Sequence, residues 1–241
     1  RDSFLSALKA KTGEWPDFEG LIRDIYVAFL KGGELAVDVG VNDGHHLVQL
    51  AKAVGPKGRV IGVEAHEASG QRALENVRNI YPELKRRIEL NTVAVSAEPG
   101  TATFYFDRSF TGLSSLAKRD VSEGHQVEAT TVIVTTLDKL VKGRPAFMKI
   151  DIEGAELQAL AGARRTIQHF RPKLAICLYH KWNDAFTIPQ AIHATGVDYS
   201  FTFKWVQLKD GWEAILLAIP TERATNPVRP PAPDTSSALP S

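Results

Sequence analysis

A single cysteine, Cys177, excludes any disulfide within the chain, and its place in the apolar run Leu174–Leu178 makes it core filler rather than a nucleophile. That scarcity fits a reducing compartment, and a cytoplasmic location is the expectation. No apolar stretch reaches the ~20 residues that a membrane-spanning helix needs, and the segment beginning at Arg1 has no signal-peptide pattern. Neither sign of charge prevails: 29 Lys and Arg against 28 Asp and Glu leave a formal net charge of +1, with no long basic stripe interleaved with aromatics. Nucleic acid is therefore not the expected partner. Also missing is the G-x-G-x-x-G turn that a diphosphate-binding fold carries directly after its first strand, which disfavours a nicotinamide-dependent oxidoreductase.

What is present is enough apolar residue, 44% of 241, to bury a full core, most simply that of one α/β domain. Its organising stretch is Leu35 to Gly44. An apolar run ends in Asp38, turns through Gly40 and Gly44 with Asn42 between them, and leads into Leu47-Val48-Gln49-Leu50-Ala51, spaced for a helix facing a sheet. Glycines allow positive φ and close approach of a ligand, and the N–H groups of the following helix attract a carboxylate or phosphate. Asp38 would repel a pyrophosphate and attract a cation. The combination suits the amino-acid end of S-adenosylmethionine, which carries an ammonium and a sulfonium beside one carboxylate; an ordinary strand-to-helix junction would also contain an Asp and two turn glycines.

The rest of the chain alternates in the same style. Residues 1–33 carry apolar positions at helical spacing and read as one or two amphipathic helices, residues 34–220 as the α/β domain, and residues 221–241, rich in Pro, Ser and Thr, as a disordered tail or linker. The tail is compatible with a piece of a larger protein, and self-association is open. Arg59–Glu64 is a second strand ending in an acid, about twenty residues past the glycine turn, where a carboxylate accepts hydrogen bonds from ribose hydroxyls; capping the helix after Ala65-His66-Glu67 is the alternative role. Ile88–Val95 reads as a third strand, Thr101–Phe106 with Gln126–Val134 as an inserted β-pair around a polar loop holding Ser114 and Ser115, and Thr135–Asp138 as a capped helical turn. Ala146–Asp151 is the next strand and the third to end in an acid, with Glu153 and Glu156 close behind. Acids at the carboxyl ends of neighbouring strands should converge on one pocket, although Glu156 suits a helix N-terminus equally well. Lys173–His180 is the fifth core strand, and His180 beside the Asp151 strand can take or relay a proton near neutral pH. A short helix over Pro189–Gly196 and a hairpin, 199–206 with 212–219 around Lys209-Asp210-Gly211, complete the sheet.

Asp38-Val-Gly-Val-Asn-Asp-Gly44, Glu64, Thr136-Leu-Asp138, the block Met148-Lys-Ile-Asp-Ile-Glu-Gly-Ala-Glu156 and Tyr179-His-Lys181 together resemble the FkbM-type family of S-adenosylmethionine-dependent methyltransferases over residues 35–219, with Val41 where that family more often has Ala. The resemblance implies the class I methyltransferase architecture: a Rossmann-like, mostly parallel seven-stranded sheet with an antiparallel last strand. It implies methyl transfer to a hydroxyl on a sugar, glycan or secondary metabolite. By that analogy Asp38, Gly40, Asn42 and Gly44 surround the methionine end, Glu64 the ribose, Ala94 and Val95 the adenine, and Asp151 the sulfonium, with Ala65 also among the cofactor-binding residues. His180 is the expected base, assisted by Asp151. The second route is a divalent ion, Mg²⁺ or Mn²⁺, held by Asp151, His180 and either Glu153 or Asp184. A cofactor-binding or scaffold module without turnover is the other functional class.

Overall fold

The computed structural model describes residues 26–107, 115–116, 127–208 and 211–223. The expected N-terminal helices before residue 26, the loop around Ser114, the Lys209-Asp210 turn and the tail from residue 224 lie outside the described residues. In chain order the elements are β1 (Leu35–Val39), α1 (His45–Ala53), β2 (Arg59–Val63), α2 (Glu67–Ile80), β3 (Ile88–Asn91), β4 (Ala94–Val95), β5 (Gly100–Asp107), β6 (Val127–Thr135), α3 (Leu137–Leu140), β7 (Pro145–Ile150), α4 (Glu156–Ala161), α5 (Arg164–Phe170), β8 (Lys173–Cys177), α6 (Asp184–His193), β9 (Tyr199–Leu208) and β10 (Gly211–Pro220).

Seven strands form the main sheet in the order β3-β2-β1-β7-β8-β10-β9. β1, β2, β3, β7 and β8 pair in parallel, whereas β10 runs antiparallel to both of its neighbours. This is the expected sheet, with its last strand reversed. Every residue of β1 and of β7 is buried, as parallel strands covered on both faces require. Alternation divides their side chains between two cores: Val37, Val39, Met148 and Ile150 meet α4, α5 and α6, while Ala36 and Phe147 meet α1.

A second sheet, ordered β4-β6-β5, carries the expected inserted pair. It also corrects the third strand. β3 stops at Asn91 beside Val63, and Ala94 and Val95 cross over to pair with Val134 and Thr135, so one apolar run serves two sheets. Thr136 caps α3 as expected, its Oγ1 accepting from the Lys139 N–H at 3.2 Å. Two boundaries shift. β8 ends at Cys177, which puts Tyr179 and His180 on the connection beyond the strand, and α6 begins at Asp184 with Pro189 inside it, because proline's preference for a first helical turn makes a later start look natural. Among the described residues no helix is long and apolar enough to cross a membrane.

Candidate active site

The carboxyl ends of β1, β2 and β7 meet at one edge, and Gly40 lets them do so. Its φ is +87°, and a Cβ built there would stand 1.8 Å from the Asp151 carbonyl oxygen. Only glycine fits that crossing. Two residues on, Asn42 takes φ +50° and donates its N–H to Glu64 Oε2 at 2.8 Å, while Glu64 Oε1 accepts from the His66 N–H at 2.9 Å. One carboxylate thus ties together the turns after β1 and β2, so the capping and the pocket-facing roles of Glu64 coexist. Burial raises its pKa, against the two backbone hydrogen bonds.

Between these turns and the small sheet opens a cavity of about 700 Å³, measured out to its mouth. Of the expected residues, Gly40, Asn42, Glu64, Ala65, Ala94, Val95 and Asp151 line it. Glu153, expected near the pocket behind Asp151, lines it too; Ser69, Val93, Phe104, Leu116 and Ile152 line it as well, and no spacing in the sequence announced those five. Asp38 and Gly44 do not. Gly44 precedes α1 at φ +88°, where a Cβ would crowd that of Ala73 at 3.0 Å, so its smallness serves packing of the turn against α2.

Asp38 is the larger correction. It is fully buried, and strand alternation turns it to the face of Ala36, away from the Val39 side that lines the cavity. Its partner is Lys149 on the neighbouring strand, itself buried, with Nζ 3.2 Å from Asp38 Oδ1, 3.6 Å from Asp151 Oδ2 and donating to the Gly40 carbonyl at 3.1 Å. Burial alone would lower the Lys149 pKa, but the two carboxylates raise it, so the ammonium stays charged. Sequence reading passed over this residue; its signal was a lysine inside an apolar strand, which buries only when paired.

At the other end of the cavity floor His180 sits in a nest of acids. Its side chain is 2% exposed, and Nδ1 lies 2.8 Å from Glu156 Oε1, which also accepts from the N–H groups of Ile152 at 3.0 Å and Gly154 at 3.2 Å. Glu156 therefore shapes the turn after β7 and holds the imidazole, more than acids at a helix start do. Burial disfavours a charged ring, yet the Glu153 and Glu156 carboxylates outweigh it and push the His180 pKa up to about 10. Asp151 is held below its ordinary value: burial opposes, Lys149 and His180 prevail. Its Oδ1 accepts from the Tyr179 hydroxyl at 3.2 Å.

The model of the FkbM methyltransferase domain matches residues 38–208. The chain belongs to the FkbM methyltransferase family. No curated protein matches it. Among solved structures it is similar to the methyltransferase FkbM of Methylobacillus flagellatus, at 23% identity and a TM-score of 0.59, over 81% of this chain and 50% of that one. It thus spans about half the length of that relative. An O-methyltransferase from Bacillus cereus in complex with SAH aligns over 90% of this chain and 87% of its own at 15% identity and a TM-score of 0.52. The O-methyltransferase TomG of Streptomyces achromogenes, in complex with SAM, aligns over 83% and 78% at 11% identity and a TM-score of 0.51. At these identities the likeness establishes the fold, the class I methyltransferase sheet.

The cavity of this FkbM-family chain fits a cationic nucleoside by its chemistry. Glu64, Asp151 and Glu153 give it an acidic side, whereas Val93, Ala94, Val95 and Phe104 give it an apolar one. A positive sulfur suits the first and a flat base the second.

Proposed function

We propose that the chain transfers a methyl group from S-adenosylmethionine to a hydroxyl of a sugar, glycan or secondary metabolite. The observation that carries this reading is that Glu64 on one side and Asp151 and Glu153 on another wall the same cavity. When bound, the cofactor supplies a methyl group already activated by its sulfonium. The chain's residues then have three tasks. Glu64 accepts from the ribose hydroxyls, Val93 to Val95 and Phe104 enclose the base, and Asp151 aligns the acceptor oxygen and takes its proton as the methyl leaves the sulfur, S-adenosylhomocysteine being the other product. His180 enters this scheme as a positioning residue, since Glu156 holds its Nδ1 at 2.8 Å and its Nε2 faces Asp151. It fixes Asp151 from 3.6 Å. The acceptor reaches the site past Tyr179, Trp182 and Phe186, which are 37%, 91% and 67% exposed around the loop that follows β8.

The test is transfer of isotope-labelled methyl from the cofactor to a panel of sugars and hydroxylated metabolites, with product analysis locating the label. Labelled oxygen on an acceptor is the expected result. Label on nitrogen or carbon alone overturns the O-methyl reading, and cofactor binding without turnover on any acceptor marks a binding module. In the same assay Trp182→Ala is expected to raise the acceptor KM about 2- to 10-fold, the worth of one aromatic contact, without changing cofactor affinity.

A further inference from the structure

Beside the cavity floor lie more ligating atoms than the hydrogen bonds use. His180 Nε2 is buried without a hydrogen-bond partner, and so is Glu156 Oε2. An imidazole nitrogen left so is costly unless something else meets it. Facing that nitrogen are Glu153 Oε2 at 3.4 Å and Asp151 Oδ1 at 3.6 Å. These separations exceed the ~2.7–2.9 Å of a charge-assisted hydrogen bond. They match two ligands of one ion, since donors about 2.0–2.2 Å from a tetrahedral metal stand about 3.4 Å apart. The remaining ring nitrogen, Nδ1, is bonded to Glu156 Oε1, the carboxylate partner that metal-bound histidines characteristically have.

We propose that His180 Nε2, Asp151 Oδ1 and Glu153 Oε2 bind one divalent transition-metal ion, with Glu156 orienting the imidazole. One nitrogen and two oxygens suit Zn²⁺ or Mn²⁺ better than the all-oxygen preference of Mg²⁺. Asp151, Glu156 and His180 are the three whose ligating atoms already lie within 4.8 Å of one another; Glu153, 3.4 Å from Nε2, stands outside that trio and closes toward Asp151 to complete the site. The arrangement is held from outside the cluster. Ser115 Oγ donates to the Glu153 carbonyl at 2.8 Å, Lys181 Nζ donates to the Gly154 carbonyl, Lys149 faces Oδ2 of Asp151, and the Tyr179 hydroxyl donates to Oδ1 at 3.2 Å, leaving that oxygen's second lone pair toward the imidazole. Asp151 and Glu153 line the cavity, so the ion's open position faces it. Its use there, to bind an acceptor hydroxyl and lower that hydroxyl's pKa, rests on the methyl-transfer reading; the binding itself does not.

The test is titration of the metal-stripped chain with Co²⁺, followed by visible absorption, and with Zn²⁺, followed by calorimetry. One ion per chain and the visible bands of low-coordinate Co²⁺ are expected. Glu153→Gln and His180→Ala should abolish those bands, and Glu156→Gln should weaken binding about 10- to 100-fold. The double variant His45→Gln/His46→Gln, which removes the tandem histidines opening α1, should bind as the wild type does. Absence of saturable binding to the wild-type chain overturns the site, as does binding that survives both Glu153→Gln and His180→Ala or that disappears with His45 and His46. Circular dichroism of each variant separates lost binding from lost folding, and Glu153, at the surface of the cavity, gives the reading if His180→Ala does not fold. Calorimetry of the metal-stripped chain with S-adenosylhomocysteine separates the two readings: cofactor bound and Co²⁺ refused sinks the metal site alone.

Discussion

Gly40→Ala should lose cofactor binding and destabilise the fold by about 2–5 kcal/mol. About 1–2 kcal/mol of this comes from forcing a side chain into the left-handed region and about 1–3 kcal/mol from overpacking. The second part is the informative one. A methyl group at position 40 meets backbone, the Asp151 carbonyl carbon and oxygen at 2.9 and 1.8 Å, and backbone of a central strand end cannot swing aside as a side chain tip does. β1 and β7 must therefore part at their carboxyl ends, where Asn42 and Asp151 line the cavity. Gly196→Ala is the control: φ there is +78° but nothing lies within 4 Å of the added carbon, so only the backbone cost applies. Denaturant unfolding of both variants measures the difference. Equal losses would show that the crossing at Gly40 is not tight.

Lys149→Met is expected to cost about 3–5 kcal/mol, the penalty of leaving a buried carboxylate without its partner. Asp38 has no exposure, and burial already raises its pKa against the opposing charge of Lys149. Removal of the ammonium leaves that carboxylate to protonate or to draw in water. The double variant Lys149→Met/Asp38→Asn should be more stable than the sum of the two single losses predicts, by about 0.5–3 kcal/mol of coupling. Recovery is partial, because Asp151 also loses the cation 3.6 Å away. Chemical unfolding of the four proteins closes the cycle. Simple additivity, or a single-variant loss below about 1 kcal/mol, would deny that the pair pins β1 to β7.

These two residues also mark where sequence reading succeeds and where it stops. Gly40 and Glu64 were legible because a turn after a buried strand and an acid after the next are local features, each fixed by a few neighbouring residues. The hairpin of β9 and β10 was legible for the same reason. Asp38 was misplaced because Leu-Ala-Val-Asp-Val is apolar on both faces of the sheet, so no alternation showed which face the acid takes. The pairing of His180 with Glu156 spans 24 positions and depends on β8 ending at Cys177, three residues before the histidine, a boundary that the apolar pattern overran. Phe104 and Leu116 reach the cavity from the small sheet and the loop beside it; the sequence around Phe104 carries only a β pattern and that around Leu116 only a polar-loop one.

Whether one cavity takes one cationic nucleoside is tested most directly by calorimetry of S-adenosylhomocysteine with the wild-type chain and Glu64→Ala. Saturable one-to-one binding is predicted for the wild type, weakened about 10- to 100-fold in Glu64→Ala, the worth of hydrogen bonds to a charged group, with the far-ultraviolet circular dichroism unchanged. No heat from the wild type, or an affinity indifferent to Glu64, would contradict it.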